Sequence, residues 1–302
     1  MRRSWSKRST RQETRPECQP HDDRRKSVSE DYARAVKAPA SSCCCTPVPK
    51  GVVAKLAGYT DAQIAALPAE AVVNSFGCGN PLAFSKVKPG DVVLDLGSGA
   101  GIDLLLAAKK VGRTGKVIGV DMTTAMIAKA RKNIAAAGLT NVEVRKGIIE
   151  KLPVASGSVD WVISNCVINL SPEKELVFAE IARVLKPGGR MLVSDIVADD
   201  LPAGIAKYRR LYSSCLAGAI GEKAYLAGLR KAGLVEVAVK DRIVYDASQI
   251  EAFIGSELSE AGSGCCAGPP DRLAKRWAPR LAGKVASVKV AGRKSSKSIA
   301  RR

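Results

Sequence analysis

Nine cysteines stand at positions 18, 43, 44, 45, 78, 166, 215, 265 and 266 of a 302-residue chain. Three of them sit in separate short contexts: Phe76-Gly77-Cys78-Gly79-Asn80-Pro81, Ser164-Asn165-Cys166-Val167-Ile168-Asn169-Leu170 and Ser213-Ser214-Cys215-Leu216-Ala217-Gly218-Ala219-Ile220. An odd count without an export signal argues against a secreted disulfide framework and for thiolate chemistry, either catalysis or capture of a soft metal or metalloid. The closely spaced ligand pairs of a zinc knuckle are missing around these three. The one histidine, His21, falls in a charged N-terminal stretch, which excludes a histidine base in a folded core. Each cysteine alone also reads as a small buried hydrophobe, so the question is whether the fold brings them together.

A second chemical signal is Val92-Val93-Leu94-Asp95-Leu96-Gly97-Ser98-Gly99-Ala100-Gly101, a buried strand running into a glycine-rich turn and then a helix. The third glycine arrives one residue early for the dinucleotide pattern, whose last position is taken by Ile102, and this argues against a nicotinamide cofactor. Asp121 closes the next strand about twenty residues on, where a carboxylate accepts ribose hydroxyls.

Positioning these groups requires an α/β fold. Short Val/Ile/Leu runs predict strands at Val92–Leu96, Val117–Asp121, Val142–Lys146, Val159–Ser164 and Arg190–Ile196. Ala-rich periodic stretches predict helices at Gly101–Val111, Thr123–Ala137 and Glu173–Leu185, giving a Rossmann-like, doubly wound, mostly parallel seven-stranded sheet. Beyond it the pattern predicts helices at Gly204–Ala217 and Glu222–Ala232, a strand at Val235–Lys240 and an apolar run at Ile243–Tyr245, which would finish the sheet and cap its active edge. The expected domains are a disordered basic tail (1–41), a cysteine-containing segment with a helix around Asp61–Ala71 (42–88), the cofactor domain (89–200), a smaller α+β cap (201–267) and a disordered basic tail (268–302).

The charge distribution supports that division: residues 1–50 carry net +6, residues 51–267 only +3 and residues 268–302 net +10. Basic character confined to the ends reads as solvated extension, with no specific nucleic-acid partner. No apolar run approaches the roughly 20 residues a spanning helix needs, and the Arg-rich start lacks a secretory apolar stretch; a cytoplasmic monomer is expected.

Asp95, Gly97, Gly99, Gly101 and Asp121 together resemble the class I S-adenosylmethionine-dependent methyltransferases. The likeness continues in Gly147-Ile148-Ile149-Glu150-Lys151-Leu152-Pro153 and in Leu185-Lys186-Pro187-Gly188-Gly189-Arg190. It implies S-adenosyl-L-methionine held by Asp95, Gly97, Ser98, Gly99, Gly101, Asp121, Met122, Ile149, Glu150 and Asn165. Many members carry Asp where this chain has Ile148, which leaves the partner of the adenine amine open. With the cysteines included, roughly residues 30 to 260 resemble the arsenite methyltransferases.

That resemblance implies that Cys78, Cys166 and Cys215 bind trivalent arsenic and that a fourth cysteine joins a redox relay. Among Cys43, Cys44 and Cys45 the fourth is ambiguous, with Cys44 favoured. It further implies a Cys78–Cys44 disulfide formed during turnover and reduced by thioredoxin or glutathione, the whole serving arsenic detoxification. The pair Cys265-Cys266 resembles the C-terminal vicinal thiols of some members. The physical logic is softness: thiolates discriminate for trivalent arsenic where carboxylates do not. Arsenic has no proton to lose, so a core without histidine suffices. Two rival readings are a methyltransferase of another small molecule with incidental cysteines and a non-enzymatic metalloid binder.

Overall fold

The computed structural model describes residues 20–37, 60, 67, 79–80, 85–202, 204–205, 209–213, 215–258 and 271–296. Among the described residues the strands are β1 (Val92–Leu96), β2 (Lys116–Asp121), β3 (Val142–Lys146), β4 (Val159–Asn165), β5 (Leu185–Ala198), β6 (Leu234–Val244) and β7 (Val285–Lys294). They form one sheet in the order β3-β2-β1-β4-β5-β7-β6. The first five pair in parallel, and β7 lies antiparallel between β5 and β6.

The helices are α1 (Pro20–Lys37), α2 (Ile102–Val111), α3 (Thr124–Ala136), α4 (Lys174–Val184), α5 (Arg209–Ser213), α6 (Glu222–Lys231), α7 (Ala247–Leu258) and α8 (Asp271–Leu281). Consecutive strand residues feed opposite faces of the sheet. Leu94, Val162 and Val193 pack into one core with Phe178, Ile181 and Tyr225, while Val93, Ile163 and Leu192 pack into another with Leu104, Leu105 and Ile127. Burial on both faces is why these strands read as continuous apolar runs rather than as alternation. A third core, built over the carboxyl edge, gathers Cys166, Leu170, Leu211, Cys215, Leu216, Ile254, Trp277 and Val28.

The five cofactor-domain strands and three helices expected from the pattern all form. The run at Ile243–Tyr245 continues the preceding strand into one β6, whereas the helix expected over Gly204–Ala217 is represented by the shorter α5. The helix expected at Asp61–Ala71 lies outside the described residues, apart from Leu67.

Both tails need correction. Residues 20–37, assigned to a disordered basic tail, form α1, and residues 271–296, assigned to the other, form α8 and β7. The excess of Lys and Arg hid the apolar pattern beneath it. In α8, Leu273, Ala274, Trp277, Ala278 and Leu281 recur at helical spacing and enter the third core, while Lys275, Arg276 and Arg280 are exposed. In β7, Val285, Val288 and Val290 are buried in an interior strand, and its cations, Lys289, Arg293 and Lys294, take positions that are only partly buried. The seventh strand expected of this sheet therefore comes from the segment read as tail.

An interior strand cannot be removed without exposing the ladder edges of both neighbours. Truncation after Ala267 should abolish cooperative thermal unfolding followed by circular dichroism. Val288→Asp, which buries an uncompensated charge, should cost about 3–5 kcal/mol in denaturant titrations.

Candidate active site

Strand order reverses between β1 and β4, and the crevice at that point opens at the carboxyl ends of both strands. The glycine turn leaves β1 there and Cys166 follows the last residue of β4. A cavity at this edge is lined by Asp95, Gly97, Ser98, Gly99, Asp121, Met122, Ile149, Glu150, Asn165 and Cys166, among others. Nine of the ten residues expected to hold the cofactor are therefore brought together. The tenth, Gly101, is not in that lining; it caps the start of α2, with α3 packed against it.

The turn is shaped by close approach. Gly97 has φ +65°, and a Cβ there would fall 2.5 Å from the Val167 side chain, so only glycine lets the turn lie against the Cys166 loop. Asp121 accepts the Gly99 N–H at 2.9 Å and the Thr123 N–H at 2.7 Å, which locks its carboxylate at the cavity wall.

The electrostatics ask for a cationic, hydroxyl-bearing ligand. Burial, and after it the neighbouring Asp103 and Asp121 carboxylates, hold Asp95 well above the usual carboxylate range. Burial also raises Asp121, against the opposing backbone N–H groups of Thr123 and Gly99. Ser98 Oγ is buried with no partner among the described residues. A ligand carrying an ammonium, a sulfonium and ribose hydroxyls relieves this crowding and occupies the orphaned hydroxyl, so the donor set fits S-adenosylmethionine.

Sequence reasoning missed the wall contributed by α1, because that stretch was assigned to a tail. Arg25, Val28 and Tyr32 line the cavity, and Arg25 Nε donates to Glu150 Oε1 at 3.1 Å and also pairs with Glu173. Glu150 accepts a further bond from Ser171 Oγ at 2.6 Å. Asp103 was missed too, although its position in the first turn of α2 faces the same crevice. Ile148 lines the cavity, so an apolar side chain occupies the place where many members carry a carboxylate.

Cys166 and Cys215 meet. They are 3% and 2% exposed, the Cys215 thiol donates to the Cys166 carbonyl, and both sulfurs lie within 4.8 Å of each other and of an Asp195 carboxylate oxygen. Both residues adopt left-handed backbone, with φ 56° at Cys166 and 70° at Cys215. Such conformations cost about 1–3 kcal/mol each for a side chain with a Cβ and concentrate at functional sites. Cys166 is disulfide-bonded, whereas the Cys215 sulfur is not.

Cys78, Cys44, its neighbours Cys43 and Cys45, and the pair Cys265-Cys266 also lie outside the described residues. Gly79, next in the chain to Cys78, is seated on Asn165: its N–H donates to Asn165 Oδ1 at 3.1 Å, and Asn165 Nδ2 donates back to its carbonyl. A Cβ on Gly79 would fall 2.4 Å from Ser194 Oγ, so the close seat requires glycine.

Comparison with known proteins gives a consistent result. A family model described as "Methyltransferase domain" matches residues 87–233. An arsenite methyltransferase of Halobacterium salinarum is 48% identical over 201 residues, covering 66% of this chain and 51% of that protein. The arsenite methyltransferase of Homo sapiens is 33% identical over 248 residues, covering 76% of this chain and 64% of that protein. The chain spans about half the length of the first curated relatives it matches. A crystal structure of an arsenic(III) S-adenosylmethionine methyltransferase from Chlamydomonas reinhardtii superposes with TM-score 0.57 at 31% identity, covering 85% of this chain and 76% of that one. With a glycine turn at the switch point, a carboxylate-lined cavity and a buried cysteine pair on its rim, the chain belongs to the arsenic(III) S-adenosylmethionine methyltransferase family.

Proposed function

We propose that this protein methylates trivalent arsenic held by cysteine thiolates, with S-adenosylmethionine as the methyl donor. The observation that carries the proposal is the meeting of Cys166 and Cys215, far apart in sequence, on the rim of the cavity that Asp95, Gly97 and Asp121 line. In this reading Asp121 takes the ribose hydroxyls, Asp95 and Asp103 face the donor's positive charge, and Ile148, Ile149 and Glu150 border the adenine. When bound, the donor supplies an electrophilic sulfonium methyl.

The cysteines capture the substrate from its thiol adduct by ligand exchange, each protein sulfur displacing one small thiol. Cys78 is the third ligand of this reading, supported by the seating of its neighbour Gly79 on Asn165, the residue that precedes Cys166. Three sulfurs around trivalent arsenic leave its lone pair free to face the cavity. No general base is required, since no proton leaves the nucleophile, and alignment supplies most of the acceleration. The apolar packing of Leu170, Leu211, Leu216 and Trp277 around the pair keeps water from the reacting atoms.

A disulfide at Cys166 leaves that sulfur unable to bind arsenic until it is reduced. Thioredoxin or glutathione is the reductant in this reading, and Cys44 serves the redox relay with Cys78. The cytoplasm, which keeps thiols reduced, is the matching compartment, and the chain acts there as a monomer. No helix among the described residues is long and apolar enough to cross a membrane.

Incubation with arsenite, thiol and methyl-labelled donor should place label in arsenic; label in another acceptor only, or nowhere, would reject the assignment. Cys166→Ser and Cys215→Ser should each lower that transfer about 100-fold or more while leaving donor binding intact. Asp121→Ala should weaken donor binding about 10–100-fold by calorimetry, through loss of hydrogen bonds to a charged acceptor. Circular dichroism melts of each variant test that the fold survives.

A further inference from the structure

The mechanism above leaves unused a buried polar cluster beneath the cysteine pair. Asp195, in β5, is 1% exposed and is absent from the cavity lining. Its Oδ1 accepts Asn169 Nδ2 at 2.8 Å and the Ile196 N–H at 3.1 Å, and its Oδ2 accepts the Tyr225 hydroxyl at 3.2 Å. A buried carboxylate is costly unless satisfied, and an apolar residue would fill the same space at less cost. Its presence calls for a role beyond packing.

The donors identify that role by their positions. Asn169 follows Cys166 by three residues in a short 3₁₀ turn, and Tyr225 stands on α6, which begins where the Cys215 loop ends. The two loops also touch directly: a Cβ on Gly218 would fall 2.1 Å from the Asn169 carbonyl oxygen. Lys174 Nζ closes the arrangement by donating to the Asn169 carbonyl at 3.2 Å and the Ser171 carbonyl at 2.9 Å. One carboxylate thus ties together both cysteine-bearing loops, and its oxygen lies within 4.8 Å of both sulfurs. The left-handed backbone at Cys166 and Cys215 persists only where the surroundings over-determine it, and this cluster supplies that restraint.

We propose that Asp195, through Asn169 and Tyr225, is the positioning residue that sets the spacing of the Cys166 and Cys215 sulfurs, so that the pair presents itself as a preformed dithiol to a trivalent thiophile. The inference rests on the arsenic reading above. It assigns Asp195 no ligand bond and no proton transfer. A dithiol held at fixed spacing avoids the ordering cost that two independent loops would incur on binding.

The test uses the full chain reduced with a phosphine, titrated with phenylarsine oxide, which needs two adjacent thiols, and followed by sulfur-to-arsenic ultraviolet charge-transfer absorption. Titrated in a background in which Cys43, Cys45, Cys265 and Cys266 are serine, so that no other adjacent thiols compete, the chain should bind one equivalent, and Cys166→Ser or Cys215→Ser in that background should abolish the high-affinity phase. Asp195→Asn should weaken phenylarsine oxide binding at least 10-fold and raise the arsenite KM, with the S-adenosylmethionine dissociation constant moving less than 2-fold. Tyr225→Phe, which removes one donor and keeps the buried ring, should give a shift of a few fold in the same direction and stands in if Asp195→Asn does not fold. Wild-type affinity and an unaltered charge-transfer band in the folded variants would overturn the positioning role while leaving the arsenic reading intact. Absence of phenylarsine oxide binding by the wild type, or binding unaffected by loss of either cysteine, would overturn both.

Discussion

Parallel pairing of β1 with β4 is the constraint on which the rest of the site depends. Register between the two strands sets Leu96 beside Ser164, so the glycine turn and the Cys166 loop leave the sheet at one level and in one direction. Gly97 then lies against Val167, and the cavity is the space left between two loops that cannot move apart without breaking a buried ladder. The sulfur chemistry is placed next to the cofactor cavity by backbone hydrogen bonds that are themselves far from either.

Around that edge the protein buries charge and strain together. Asp95, Asp103 and Asp121 crowd one side of the crevice, and Asp195 lies under the other, where burial lifts it to about 7 against the Ile196 N–H and the Lys174 ammonium. The two cysteines adopt backbone conformations that residues with a Cβ rarely hold. Such features oppose stability and survive because three apolar cores enclose them. The third core does double duty: its leucines, Ile254 and Trp277 stabilise the cap, and they also surround the sulfurs.

The segments misjudged as tails show why charge count alone is a poor guide to order. Trp277 and Leu281 of α8 sit among arginines, and Val288 and Val290 of β7 flank Lys289 with Lys284, Arg293 and Lys294 close by, so the mean composition resembles a solvated extension while a buried apolar pattern runs beneath it. In α1 the apolar signal is weaker still. Val28 is buried almost alone, and the helix is held over the cavity by polar contacts from Arg25, Ser29, Asp31 and Tyr32. Those partners lie more than ninety residues away in the chain, beyond the reach of any local pattern.

Legible in the residues alone were the class of sheet, the five cofactor-domain strands and their helices, the glycine turn with Asp121, and the candidacy of Cys166 and Cys215. These follow from local periodicity, from the conformational demands of glycine and from the softness of sulfur, all of which act over a few residues. The folded chain alone places β7 between β5 and β6, α1 on the cavity wall, and Gly101 outside the cavity lining against Ala130 of α3. It also makes Asn169, Asp195 and Tyr225 converge beneath the two sulfurs. Each of these depends on contacts between segments distant in the chain, whose burial and hydrogen bonds are settled only when the whole core closes.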